Sequence, residues 1–184
     1  MVYILKQAAN TGVIAIKIST KGRYGLEAVL YLAIQTPAGS ESLKNIAQAR
    51  DISENYLEQI FIKLKKKGIV ESIRGAQGGY KLAREPKDIT VGEVIRPLEG
   101  SLAPVACVKA GKDKKSCKRY EFCATRVLWN KLADELEYVA DTVTIGDLAA
   151  MHAGRAALTA LNAQAALTAR NAGAPPIKQT DYMI

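Results

Sequence analysis

The sequence predicts a mainly α-helical chain with a small β-hairpin: a winged helix-turn-helix followed by a long helix of the kind that packs on a partner. Three observations carry this. Short helical patterns flank the turn "ARDIS" at 49–53, glycine-rich "RGAQGG" at 74–79 divides two short apolar stretches, and from about Ala124 apolar residues recur at three- and four-residue intervals.

Residues 1–16 hold one charge and no clear period, and are read as an N-terminal arm without assigned function. From Ser19, the apolar residues Leu26, Val29, Leu30, Ala33 and Ile34 follow helical spacing until "TPAGS" at 36–40 stops the helix. A second helix begins after Ser42, an N-cap candidate, and buries Leu43, Ile46 and Ala47. Ser53 is the next N-cap candidate. Tyr56, Leu57, Ile60, Phe61 and Leu64 then mark one apolar face of a helix that Gly68 ends. "IVESI" at 69–73 alternates apolar and polar, and "YKLA" resumes that alternation at 80, so the glycines between them form a hairpin tip.

Thr90 with Glu93 forms a capping box for a short helix ending near Pro97. Val127, Leu128, Leu132, Leu136, Val139 and Val143 give a stripe roughly five turns long, and "TIGD" at 144–147 caps a new helix. Beyond Ala150 the chain is rich in alanine and poor in large apolar residues, which predicts a frayed helical tail with a disordered end after Pro175. The expected divisions are a winged-helix domain at 17–100, a cysteine loop at 101–123, a dimerisation helix and following short helix at 124–150, and a tail at 151–184.

At 184 residues and 48% apolar content the chain can build one core with an appended dimerisation element. No segment approaches the roughly 18 continuous apolar residues that span a bilayer, and the N-terminus lacks the charged start and apolar run of a signal peptide. The reading is a cytoplasmic protein without a membrane partner. Net charge is +8, which favours a polyanionic partner. The charge is uneven: residues 17–100 carry 14 Lys and Arg against 10 Asp and Glu, residues 101–126 carry 7 against 2, and residues 127–150 carry 1 against 5. The positive part therefore coincides with the predicted winged helix and cysteine loop.

A helix entering the major groove needs exposed polar side chains near its N-terminus. Glu54, Asn55, Glu58, Gln59 and Lys63 fill that place. Glu accepts from cytosine N4 and Gln pairs with adenine, while Lys63, Lys65, Lys66 and Lys67 suit phosphates. At the hairpin tip, Gly75 and Gly78 let the backbone pass close to a phosphate, with Arg74 placed to enter an adjacent minor groove.

All three cysteines, Cys107, Cys117 and Cys123, share one basic loop with six Lys or Arg between the first and last. An odd count in a reducing compartment argues against a disulfide framework and for metal or redox chemistry. The spacing C-x9-C-x5-C lacks the close pairs of structural zinc sites, so zinc is disfavoured. A flexible loop can wrap the larger core of an iron-sulfur cluster, 2Fe-2S or 4Fe-4S, and neighbouring lysines favour thiolate. Three sulfurs leave one iron valence open. A cluster so held is labile, and lability is what a sensor needs.

"KISTKGRYGLEAVLYLA", "ISENYLEQIFIKLKKKGIVESIRGAQGGYKLA" and "ITVGEVI" together resemble the IscR-like regulators, part of a larger family of winged-helix bacterial repressors that includes nitric-oxide-sensing and cysteine-metabolism members. The resemblance runs from about Lys17 to Leu148. It implies a homodimer on a two-fold related double-stranded DNA operator, with the helix at 124–141 as the dimerisation helix. By the match of motifs, Asn55, Glu58 and Gln59 read bases, Arg74 enters the minor groove, Lys21 and Tyr24 lie near the DNA backbone, and the cysteines bind an iron-sulfur cluster. The chain departs from the pattern at Arg126, where the cluster regulator has a histidine three residues after its last cysteine, and in its longer first cysteine gap. Its only histidine, His152, falls in the tail. Asp113, Glu121 or a group from the other subunit are open candidates for the fourth ligand.

The resulting expectation is a transcriptional regulator, not an enzyme and with no small-molecule substrate, that senses cluster supply or redox and nitrosative stress. The first alternative is a metal-free thiol-based redox repressor. A small thiol redox enzyme lacks support from any C-x-x-C or nearby histidine. A basic winged-helix module bound to protein or RNA is the third alternative.

Overall fold

Two glycines decide how the first helix is seated. In the computed structural model, which describes residues 18–35, 39–75, 78–108, 117 and 119–171, helix α1 (Thr20–Gln35) buries Gly22, Gly25, Ala28, Val29 and Leu32. This face is rotated from the one the apolar spacing predicts, since Leu26, Leu30 and Ala33 are only partly buried. The reason is close approach. A Cβ on Gly25 would collide with Leu98 Cδ1, and one on Gly22 with the carboxylate of Glu99, so α1 lies directly on α4 (Val91–Glu99) along its glycine edge. Glu99 then accepts the N–H groups of Ser19 and Gly22, at 3.1 and 2.9 Å, capping α1 from another helix.

Ser42 caps α2 (Leu43–Arg50) by accepting the Asn45 N–H at 3.1 Å. Asp51, at φ 51°, makes the left-handed turn into α3 (Glu54–Lys66). Ser53 stands at the N-cap of α3 but makes no side-chain cap bond. Leu57, Ile60, Phe61 and Leu64 are fully buried on the expected face, and Gly68, at φ 68°, turns the chain out of α3.

The hairpin pairs β1 (Val70–Ile73) with β2 (Gly79–Leu82) antiparallel, Val70 opposite Leu82 and Ile73 opposite Gly79. Its alternation is imperfect: Ile69 and Val70 are both buried and Ile73 at the tip is exposed. Tyr80 also exchanges two backbone hydrogen bonds with Glu41, 2.9 and 2.8 Å, which ties β2 to the segment before α2. The core formed by α1, α2, α3, α4 and the hairpin is thus one body.

The Thr90–Glu93 capping box is present, and α4 continues past Pro97 to Glu99. Proline costs the helix one N–H there, but Leu98, 8% exposed, still draws the last turn onto the core. Residues 100–124 lead to α5 (Thr125–Thr142), and Thr144 with Asp147 caps α6 (Ile145–Asn171), which runs on through residue 150 without a break. Residues 151–164 of α6 are exposed on every side. Ends of the predicted tail beyond 171, and the N-terminal arm, lie outside the described residues. Among the described residues no helix is long and apolar enough to cross a membrane.

Candidate nucleic-acid interface and cysteine segment

Burial of one face of α3 dictates what the other presents. With Leu57, Ile60, Phe61 and Leu64 inside, the exposed side carries Asn55, Glu58, Gln59, Ile62 and Lys63. Asn55, Gln59, Ile62 and Lys66 follow one another at helical intervals, so they form a single stripe. Ile62, 58% exposed, was not singled out by sequence reasoning because its type suggests core. The signal was its position, one residue off the buried face. An exposed apolar side chain here offers the contact a thymine methyl accepts.

The lysines at the C-terminal end divide. Lys65 donates to Ser72 Oγ at 2.6 Å and so braces the wing. Lys63, Lys66 and Lys67 are exposed and available to phosphates. They also sit at the negative end of the helix dipole.

The wing follows α3 at a fixed angle because Phe61 and Tyr80 meet edge to face, centroids 4.7 Å apart. Arg74 and Gly75 are exposed at its tip, with Gly75 at φ 120°, and Gly78 donates its N–H to the Gly75 carbonyl at 2.9 Å. Gly79 is a steric requirement, since a Cβ would run into the Glu41 backbone. Tyr24 of α1 packs edge-on against Tyr56, centroids 6.1 Å apart, beside Asn55. Lys21 is half-buried one turn earlier in α1.

The cysteines all fall between α4 and α5. Cys107 is in a 3-10 turn (Ala106–Val108), and Cys123 follows another (Tyr120–Phe122) directly before α5. All three thiols are free and half-buried. Residues 109–116 and 118, including Asp113, lie outside the described residues. Cys123 Sγ is 3.2 Å from Thr125 Oγ1. That hydroxyl holds the thiol below its usual range, helped by the Arg126 and Thr125 N–H groups and the Arg126 charge, against a smaller rise from desolvation. Arg126 lies 4.3 Å over the Tyr120 ring. Glu121 is exposed in the preceding turn and His152 is exposed on α6. Among the described residues no three His, Cys, Asp or Glu side chains come together closely enough to hold a metal ion.

Comparison with known proteins settles the class. The Rrf2 family, described as iron-dependent transcriptional regulators, matches residues 18–151. The chain belongs to the Rrf2 family. The regulator CymR of Bacillus subtilis is 46% identical over 133 residues, 72% of this chain and 89% of CymR. The regulator IscR of Escherichia coli is 37% identical over 132 residues, 72% of this chain and 79% of IscR. Among solved structures, B. subtilis CymR, described as the global cysteine regulator of that organism, aligns with TM-score 0.61 at 45% identity over 73% of this chain and 97% of its own. IscR of T. potens aligns with TM-score 0.59 at 43% identity over 74% and 88%. Membership in the Rrf2 family makes the chain a DNA-binding transcriptional regulator with a winged-helix fold. The family match ends at 151, so most of α6 is an extension beyond it.

Proposed function

We propose that this Rrf2-family regulator is a cytoplasmic homodimer on a two-fold related operator, and that Cys107, Cys117 and Cys123 hold an iron-sulfur cluster whose presence sets DNA affinity. The observation that carries the reading is placement. Every cysteine lies in the segment joining the DNA-binding body to α5, and α5 leaves Val127, Leu128, Tyr138 and Val139 exposed at 73, 53, 66 and 54%. An apolar helix face this uncovered needs a partner, and a second copy supplies the same face by symmetry.

The donor chemistry fits a thiolate-ligated centre: three free thiols, one with its pKa lowered, in a basic segment. When bound, the cluster supplies a redox-labile group. The chain's own part is to carry Cys107 in one short turn and Cys123 just after another that leads into α5, so that gathering the thiols draws the two ends of the segment together. On the DNA side, Asn55, Glu58 and Gln59 reach base edges, Lys63 and Lys21 meet phosphates with Tyr24 near the backbone, Arg74 enters the minor groove, and Gly75 and Gly78 let the tip pass close to a phosphate. Iron and sulfide in anaerobically purified protein, compared with Cys117→Ser, test the cluster. Iron-free protein from both preparations defeats it.

A second reading is favoured by the lowered pKa of Cys123 and by the 46% identity to CymR. Here the thiols are oxidised without metal and the protein is a redox repressor. Operator binding that responds to peroxide in iron-free protein, and is lost in Cys123→Ser, selects it.

A further inference from the structure

Arg96 ties the DNA-binding body to α5 by a fork of hydrogen bonds, beside apolar packing that buries Ile95 of α4 and Ala140 of α5. Arg96 projects from α4 on the side away from Val94 and Leu98, which are in the core. Its Nε donates to Glu137 Oε2 at 3.0 Å, its Nη1 to Asp141 Oδ1 at 2.7 Å and its Nη2 to Asp141 Oδ2 at 2.7 Å, with a further bond from Nη2 to Glu137. Glu137 and Asp141 stand one turn apart on α5. A guanidinium that engages two carboxylates in succession along a helix fixes both its rotation and its axial position, where a single pair leaves a swivel. Gly92 makes room for this: a Cβ there would lie 2.6 Å from Arg96 Nη1 and 2.7 Å from Asp141 Oδ1.

A second attachment pins the end of α5. Val91 donates its N–H to the Val143 carbonyl and Ile145 donates to the Ile89 carbonyl, both at 2.9 Å. The other end of α5, from Thr125, carries exposed Val127 and Leu128. Thr125 lies 12 residues before Glu137, or about 18 Å along the axis, so rocking by ~10° at Arg96 moves it by ~3 Å. That is about the 3.4 Å rise of one base pair.

We propose that Arg96 is a positioning residue that sets the separation of the two recognition helices, and so determines which half-site spacing the regulator accepts. The inference rests on the dimer reading above. It makes Arg96 act on specificity without touching DNA.

The test uses the full chain and an operator recovered by selection with wild-type protein, then lengthened or shortened between half-sites one base pair at a time. The variants are Arg96→Lys, which keeps the charge and loses the fork, and the double variant Glu137→Gln, Asp141→Asn, which keeps the shapes. Wild-type protein is expected to lose at least about fivefold affinity at each neighbouring spacing, a normal coupling magnitude. Both variants are expected to flatten that profile while binding an isolated half-site as wild type does. Variants that melt cooperatively and dimerise, yet keep the wild-type profile, overturn the inference. If Arg96→Lys fails to fold, the double variant decides alone. A monomeric wild type on DNA overturns the dimer reading and this inference together, whereas a dimer with an unaltered profile overturns this inference only.

Discussion

Phe61 on α3 and Tyr80 on β2 meet edge to face, with ring centroids 4.7 Å apart and planes at 72°. Phe61 is fully buried and Tyr80 is bridged to Glu41, so α3 and the wing share one rigid joint. Replacing Tyr80 with Leu keeps apolar bulk and removes the aromatic pair. The expected loss is ~1 kcal/mol in urea denaturation, together with weaker DNA binding because the wing is no longer held at a fixed angle. Phe61→Ala leaves a cavity and is expected to lose about 3–5 kcal/mol.

The capping box at the head of α4 sets a second expectation. Thr90 Oγ1 accepts the Glu93 N–H at 3.2 Å, and Glu93 accepts the Thr90 N–H at 2.9 Å. Thr90→Ala is expected to cost about 1 kcal/mol by chemical denaturation, and Thr90→Ser to restore most of it.

Acid sensitivity follows from carboxylates held below their ordinary range. Asp141 is lowered by the Arg96 hydrogen bonds, and Asp147 by the Thr144 N–H and then its hydroxyl. Burial pushes Glu93 up, yet Thr90 and Arg84 together bring it below normal. Each folded pKa is depressed, so the stability these groups contribute is present above the unfolded carboxylate pKa of about 4 and is lost as pH falls through the lower folded values. Thermal melts taken downward through this range should show the midpoint falling. The slope should be shallower in Asp147→Asn, whose side chain no longer titrates.

Base reading and phosphate contact separate by salt. Lys63→Ala is expected to weaken binding to all sequences and to reduce the magnitude of the log–log salt slope by about 0.9 for each half-site. Gln59→Ala is expected to relax the preference at one operator position by about 1–3 kcal/mol. Ile62→Ser should abolish the difference between thymine and uracil at one position, measured by competition binding on modified operators.

How much of this the sequence foretold depends on what each residue signals locally. The buried face of α3 was legible because Leu57, Ile60, Phe61 and Leu64 are large, apolar and regularly spaced. The face of α1 was mis-phased because Gly22 and Gly25 carry no hydrophobic signal and matter only once α4 is laid against them. Both capping boxes were legible, since each spans only four residues. The α5 stripe was legible too, but within one chain much of it is uncovered. Arg96 was invisible as a clamp, since its acceptors lie 41 and 45 residues away. For the cysteines, the donor type was legible; bringing three thiols to one centre depends on a segment whose conformation spacing does not determine.

Control of DNA affinity by a cluster bound in the cysteine segment is the proposed function. Its most direct measurement is operator affinity of one anaerobic preparation before and after the cluster is removed, at fixed salt. A change of about 5–150-fold, absent in Cys117→Ser, is the expected result. Equal affinity in the two states, with iron and sulfide verified in the first, would contradict the account.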